Sequence, residues 1–467
     1  MKDSSKTTRR KFITTTGIAA AGIAAGVKPM KASSYKRILG ANEKINVGFI
    51  GIGNRGSQLL GLFMKNSDVR VAAFCDAYVP YMNRDRSQVD ERWLKTYGGQ
   101  IPKMGESFPE KVDHYPDFRK LLDKKDIDAV VIATPDHWHA IQMIGAVEAG
   151  KDVYVEKPLT ITIHEGRAMV NAQKSTGRVV AVGLNRRGAP VYQKLVKEIP
   201  GGKIGKISVG KAFRINNMYP NGIGKLRPEN PPADFNWDMW LGPRAFRPYQ
   251  YNICPYNFRW WSDYSSQMGN WGVHYMDVIR WMMQERAPVA ISATGGKYVL
   301  DDDRTIPDTM DVIFEFASGA LITFSIYEAS SGGLFPYGEV ELRGTLGTLN
   351  ANESGYRITP TRNGQFQTFK NELKAEEFNV KDNPLPDGSS GDSTGNLVRN
   401  FLDCVKSRET PWCPIEEGHR STSFAHLANI ALALKSRLEW DPDREVFTNN
   451  KQANDLLHYE YRKPWSL

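Results

Sequence analysis

The chain has 467 residues, too many for one ordinary hydrophobic core, so about two domains are expected. It is 41% hydrophobic and 24% charged, with 41 glycines and 26 prolines, which excludes wholesale disorder, collagen and coiled coil. A formal charge of +9 invites a nucleic-acid or anionic-membrane partner, and the placement of that charge argues against both.

Residues 1–34 hold Lys2, Lys6, Arg9, Arg10, Lys11, Lys28 and Lys31 against Asp3 alone. The remaining chain carries only +3, with no basic run and no nucleic-acid reader motif. Within the segment, Thr8-Arg9-Arg10-Lys11-Phe12-Ile13 precedes a weakly apolar run over 13–27 rich in Ala, Gly and Thr. That run is shorter than the roughly 20 residues a bilayer span needs. Paired arginines before a mildly apolar run resemble a twin-arginine export signal; a basic tail on a cytosolic protein is the alternative. No later apolar stretch is long enough to span a bilayer, so no membrane span is expected in the mature chain.

Residues 40–183 alternate two kinds of pattern. Short β-branched runs fall at Ile45–Ile50, Val69–Cys75, 129–133, 153–155 and 179–182. Helical-period segments lie between them at 55–64, 118–123, 140–149 and 164–175. Runs buried on both faces and separated by helices predict a doubly wound α/β domain with a parallel sheet.

The first strand leads into Gly51-Ile52-Gly53-Asn54-Arg55-Gly56 and then a helix. Gly51 permits the tight turn, Gly53 lets backbone approach a pyrophosphate, and Gly56 allows close helix packing. The N–H groups opening the helix, at Asn54 and Arg55, would face that pyrophosphate. Asp76 ends the second strand, 20 residues after Gly56, where an acid accepts the adenosine ribose hydroxyls. Its charge would repel a 2′-phosphate, so NAD is favoured over NADP, with Arg84 nearby as the opposing feature.

The run 129–133 ends in Thr134-Pro135-Asp136-His137-Trp138-His139. Its histidines lack carboxylate or cysteine partners at ligand spacing, so no metal is expected. Thr134, Pro135, Trp138 and His139 read instead as a helix cap and cofactor contacts. The run 153–155 ends in Glu156-Lys157-Pro158, at the sheet edge where ligands bind. An ammonium there can hydrogen-bond a hydroxyl or polarise a forming carbonyl. A solvated surface lysine is the plainer reading of Lys157 alone.

Residues 184–467 differ in style. Aromatic and proline-rich loops over 214–266 precede a helix at 274–283 and strand-like runs at 289–300, 310–328 and 337–358. Alternation from Thr309, broken at Ser318-Gly319, predicts an antiparallel hairpin. A polar linker over 382–395 precedes helices at 396–407 and 419–438. Cys75, Cys254, Cys404 and Cys413 show no C-x-x-C spacing and read as free thiols, with a Cys404–Cys413 disulfide as the alternative.

These motifs, with Asn185-Arg186-Arg187, Asn236-Trp237-Asp238, Gly269-Asn270-Trp271-Gly272-Val273-His274-Tyr275-Met276-Asp277 and Glu417-Gly418-His419, resemble the Gfo/Idh/MocA oxidoreductase family, in its exported, sugar-acting branch. The resemblance implies a Rossmann domain followed by an α/β domain with an open, mainly antiparallel sheet. It also implies a homodimer or homotetramer. By position it assigns Lys157 and His274 to catalysis and both Glu156 and Lys157 to the cofactor. Members often carry D-x-x-x-H before the catalytic histidine; here Asn270 replaces the Asp, and an amide takes no proton.

The activity this implies is NAD-dependent oxidation of a secondary hydroxyl on a sugar or glycoside. His274 would accept the proton and Lys157 would steady the oxygen. Arg186, Asn270, Tyr275 and Asp277 are candidate substrate contacts. Trp260, Trp261 and Tyr264 are candidate stacking surfaces, with domain packing as the alternative. Export away from free NAD would require a tightly held, recycled cofactor. An NAD-dependent glycosidase working by transient oxidation and elimination is the second reading; such relatives often lack the lysine. A catalytically silent sugar-binding protein is the third.

Overall fold

Six short strands, mostly buried, build the first sheet: β1 (Ile45–Ile50), β2 (Val69–Cys75), β3 (Asp113–Tyr115), β4 (Ala129–Ile132), β5 (Asp152–Val155) and β6 (Val180–Val182). Every pairing is parallel, in the order β3-β2-β1-β4-β5-β6. The computed structural model describes residues 44–366, 368–383 and 391–467; the export-signal reading of residues 1–34 lies outside them. Crossover helices α1 (Asn54–Met64), α2 (His139–Glu148) and α3 (Ile163–Thr176) link the strands. α3 opens with a capping box between Thr162 and Glu165 and closes on Gly177 in the left-handed region. The order reverses between β1 and β4, and the crevice there is where such sheets bind ligands.

Among the described residues the second sheet has ten strands: β7 (Ile207–Ile215), β8 (Ala290–Gly296), β9 (Thr309–Glu315), β10 (Leu321–Tyr327), β11 (Val340–Gly344), β12 (Gly347–Asn352), β13 (Gly355–Pro360), β14 (Glu376–Asn379), β15 (Leu438–Asp441) and β16 (Val446–Phe447). Their order is β14-β13-β12-β11-β7-β10-β9-β8-β15-β16, and only β7 with β10 pairs in parallel. The hairpin forms as expected, Phe324 facing Val312, with Gly319 at φ +84° in its turn. Met310, Val312, Phe314, Ile322, Phe324 and Ile326 point to one face and are buried. That face packs on a helical layer, which follows from its two-residue alternation. The layer holds α4 (Pro190–Glu198), α5 (Val273–Met283) and α7 (Ile415–Leu434), with α6 (Ser393–Ser407) preceding α7 in the chain.

α6 returns to the first sheet. Phe401 packs against Phe63 and Tyr154, while Arg399 and Lys406 both pair with Asp68. The C-terminal chain therefore completes the covering of the first sheet. Four free cysteines are buried, so the Cys404–Cys413 disulfide alternative does not occur. Among the described residues no helix is long and apolar enough to cross a membrane.

Candidate active site

A cavity of about 480 Å³ opens at the strand C-termini where β1 and β4 diverge. Gly51, at φ +83°, turns so tightly against the β4 loop that a Cβ would stand 2.7 Å from the Thr134 nitrogen. A Cβ on Gly56 would meet the Gly51 carbonyl oxygen at 2.0 Å, so α1 packs directly on the turn. A Cβ on Gly53 would just touch the Tyr81 ring, at 3.4 Å, and Gly53 caps α1 without a side-chain hydrogen bond. The helix therefore offers uncapped N–H groups to the cavity, the arrangement that holds a diphosphate. The Asn54 side chain donates to Gln100 and that of Arg55 to Glu156, leaving their backbone to face the ligand.

Asp76 lines the cavity with Oδ2 accepting the Ile52 N–H at 2.8 Å and Oδ1 the Tyr78 N–H at 2.9 Å. Enclosure pushes its carboxyl up to about 6, against those hydrogen bonds and the Arg84 charge. Each oxygen keeps a lone pair for a ribose hydroxyl. Arg84 does not stand free for a 2′-phosphate. Glu106 holds it bidentately at 2.9 and 2.7 Å, and its Nη1 donates to the Ile52 and Tyr81 carbonyls. The residues present fit NAD.

Thr134, Pro135, Asp136 and Trp138 line the same cavity. Trp138 donates Nε1 to the Met239 and Trp240 carbonyls, and the Asp136 carboxylate accepts the Ser265 hydroxyl. His139 is corrected as a cofactor contact. Its ring nitrogens lie 2.8 and 3.0 Å from the Pro158 and Thr134 carbonyl oxygens, so it ties one loop to the next and does not line the cavity.

Lys157, on the loop after β5, reaches across to the second domain. Its Nζ donates to the Asn270 carbonyl oxygen at 2.8 Å and lies 3.3 Å from Asn270 Oδ1. Burial lowers its ammonium to about 8, with Glu156 opposing and Arg259 adding to the fall. His274, on the first turn of α5, lines the same end. Burial and the charges of Arg186, Lys157 and Arg55 hold it well below the usual imidazole range, so it is neutral near pH 7. Its Nδ1 is buried with no hydrogen-bond partner among the described residues. Arg186 faces the cavity and is gripped by Glu339 at 2.7 and 2.6 Å.

Two candidate substrate contacts are corrected. Asp277 is fully buried and paired with Arg187 at 2.8 Å, with the Ser421 hydroxyl donating at 2.6 Å. Tyr275 packs between Arg186 and Phe324, away from the cavity lining. The proposed stacking aromatics are also packing residues. Trp260 donates to Glu328, Trp261 to the Asn252 carbonyl, and Tyr264 packs on His137 and Trp240. Trp271 does line the cavity with Lys157 and His274, and its ring carries the Arg214 guanidinium 3.7 Å from its centre.

Several lining residues escaped the sequence reading. Glu353, in the β12–β13 turn, brings a carboxylate whose Oε1 accepts from Ser393 at 2.5 Å and Asn185 at 3.3 Å. Phe235, Met239, Cys254, Pro255, Tyr256, Phe258 and Arg259 come from the loop between β7 and α5. That loop bridges onto the first domain beside Asp76: Val79 N–H donates to Asp234 at 3.0 Å and Asn236 N–H to Ala77 at 2.8 Å. Trp93 donates to the Tyr249 hydroxyl and Arg92 pairs with Glu229, both at 2.9 Å. The chain end closes the other side, Trp465 packing on Trp138 and Arg462 pairing with Asp238. A ligand across the strand ends would lie under this strap.

Among the described residues no group of three His, Cys, Asp or Glu side chains stands together to hold a metal ion.

Residues 45–184 match the Gfo/Idh/MocA oxidoreductase family's NAD-binding Rossmann fold, and 191–326 with 350–467 match its C-terminal alpha/beta domain. A glycosyl hydrolase family 109 protein of Shewanella pealeana is 30% identical over 227 residues, 46% of this chain and 47% of that one. The scyllo-inositol 2-dehydrogenase (NAD(+)) of Bacillus subtilis is 40% identical over 101 residues, 22% of this chain and 30% of its own. The chain spans about half the length, or less, of these curated relatives. Among solved structures, levoglucosan dehydrogenase with NADH and levoglucosan superposes at a TM-score of 0.60 and 19% identity, covering 85% of this chain and 99% of that one. The aldose-aldose oxidoreductase of Caulobacter crescentus superposes at 0.58 and 17% identity, covering 85% and 100%. At these identities the likeness is one of fold.

Proposed function

The chain belongs to the Gfo/Idh/MocA oxidoreductase family, whose first domain binds NAD, and on that premise we propose that it oxidises a secondary hydroxyl of a sugar or glycoside, with C3 a candidate position. The observation that carries the reading is the convergence of Lys157, Asn270 and neutral His274 at one end of the dinucleotide cavity. The sugar class draws support from the relatives, among them an NAD(+)-linked inositol dehydrogenase and a levoglucosan dehydrogenase.

Gly51, Gly53, the backbone of Asn54 and Arg55, Asp76, Thr134, Pro135 and Trp138 would hold the dinucleotide. When bound, its nicotinamide supplies the acceptor for the carbinol hydride. The protein's work is at the hydroxyl. His274, neutral by burial, accepts the hydroxyl proton as the C–O bond becomes C=O. The Lys157 ammonium donates a hydrogen bond to the same oxygen and offsets its developing negative charge. Asn270 aims that ammonium through two oxygens without neutralising it. Arg186, Glu353 and Trp271 surround the remaining space, offering donors, acceptors and one apolar ring to a hydroxylated substrate.

The strap over the cavity favours a cofactor retained through turnover. Such retention suits an exported enzyme, and residues 1–34 fit a twin-arginine signal on that reading. A net oxidation then needs a second sugar or other carbonyl to reoxidise the cofactor. The glycosidase reading keeps a place because relatives carry that name, including an alpha-N-acetylgalactosaminidase of Shewanella oneidensis at 27% identity over 224 residues. Mass spectrometry after incubation with a glycoside panel separates the two. A product short of two hydrogens supports oxidation, a released aglycone supports elimination, and an unchanged panel with loaded enzyme overturns both.

A further inference from the structure

Arg259 lies on the long loop from the second domain and lines the cavity shared by the glycine turn and Lys157. Its Nη1 donates to the Tyr256 carbonyl oxygen at 2.9 Å. The guanidinium sits 4.2 and 4.5 Å from the ring centres of Tyr256 and Phe258. Among the described residues it makes no ion pair, and burial works against its charge. The carboxylates lining the same cavity are engaged elsewhere. Glu156 takes Arg55, Asp136 the Ser265 hydroxyl, Asp76 two backbone N–H groups, and Glu353 Ser393 with Asn185.

A partly buried guanidinium without a counter-ion carries a desolvation cost, and it is relieved by an anion that enters the site. Arg259 lines the cavity together with Asp136, Glu156 and Lys157, which follow the ends of β4 and β5. A dinucleotide crossing from the Gly51 turn toward Lys157 would bring its doubly charged diphosphate through this region. The turn answers that charge with N–H dipoles alone, Arg55 is spent on Glu156, and Lys157 is held by Asn270.

Building on the NAD reading, we propose that Arg259 is the counter-ion of the cofactor diphosphate, supplied from the second domain to lock the dinucleotide under the strap. The chemistry it recognises is a phosphate or carboxylate oxyanion, and a substrate carboxylate is the other source to exclude. Planar guanidinium suits bidentate contact to either.

The test uses purified protein and the variants R259Q and R259K, each checked by its melting curve. NADH affinity is measured by fluorescence, and ADP and adenosine are used as competitors. Loss of one charge-assisted contact should weaken NADH and ADP about 10–100-fold in R259Q, with adenosine unchanged. R259K should recover part of the loss, and if R259Q does not fold, R259K alone should weaken ADP several-fold and spare adenosine. Wild-type affinity in a folded variant overturns the proposal while leaving the NAD reading intact. So does equal loss of ADP and adenosine, or a KM rise confined to anionic sugars, which would assign Arg259 to substrate. A wild type that binds no dinucleotide overturns both readings.

Discussion

The Lys157 ammonium lies 2.8 Å from the carbonyl oxygen and 3.3 Å from the side-chain oxygen of Asn270, a residue in the turn that leads into the helix bearing His274. Two neutral acceptors thus aim a cation that an aspartate at the same place would partly neutralise. Restoring the acid in N270D should favour the protonated lysine and move the alkaline limb of the rate profile upward by about one pH unit. An unmoved limb would separate Asn270 from control of Lys157.

The pH profile of the wild type follows from two groups. Lys157 carries its charge below about 8 and loses it as pH rises through that value, so the rate should fall on the alkaline side. His274 must be neutral to accept a proton, and its depressed titration puts the acid limb below the usual imidazole range. Rates of oxidation should therefore be flat near neutrality. An acid limb centred near 6.5 would show that His274 is not desolvated as the geometry requires.

Cofactor choice rests on Asp76 and on the Glu106 grip of Arg84. In E106Q the guanidinium loses its charged partner and becomes available to a 2′-phosphate. NADP affinity should rise about tenfold relative to NAD, the worth of one charge-assisted contact. D76A should shift the preference in the same direction. Titration with both dinucleotides checks this, and an unchanged ratio in both variants would remove the pair from specificity.

The strap predicts slow cofactor release. W93F and Y249F each break the hydrogen bond between Trp93 and Tyr249, worth about 1 kcal/mol, and should speed release several-fold. Stopped-flow displacement of NADH checks it, and release at the wild-type rate would mean the strap does not gate exit.

Asp277 should behave as a structural residue. D277A takes from buried Arg187 its fully buried carboxylate and leaves it only Glu417, at 3.0 Å, so the loss in stability should approach, without exceeding, the about 3–5 kcal/mol of a broken buried pair. Denaturant unfolding should show that loss, and any folded fraction should keep its KM for sugar. A raised KM at unchanged stability would return Asp277 to the substrate site.

Much of the first domain was legible because its signals are local. Strand runs buried on both faces, the glycine turn at Gly51 and the acid at Asp76 all lie within one crossover unit. β3 was missed because it is three polar-edged residues, Asp113–Tyr115, with no apolar run. β7 was missed because Lys211 interrupts the alternation of Ile207, Val209, Phe213 and Ile215 and its buried positions are only Gly210 and Ala212, although it sits at the middle of the second sheet. The resemblance singled out Lys157 and His274, and the structure brings both to one cavity. The wall around them was not legible, since Glu353 and Arg259 reach the cavity by tertiary folding of a turn and a loop. Asp277 misled for the same reason: spacing of three from His274 puts both on neighbouring helix faces, and only packing shows that Arg187 claims one of them.

The central claim is that this chain removes a hydride and a proton from a sugar carbinol using Lys157, His274 and a cofactor it already holds. The direct test mixes purified, cofactor-loaded protein with candidate glycosides in the absence of added NAD and follows the reduced-nicotinamide absorbance. Wild type should show a single-turnover rise stoichiometric with a keto product, while K157M and H274A keep the cofactor and show none. Loaded wild type that never reduces its cofactor with any glycoside, or variants that do so at the wild-type rate, would contradict it.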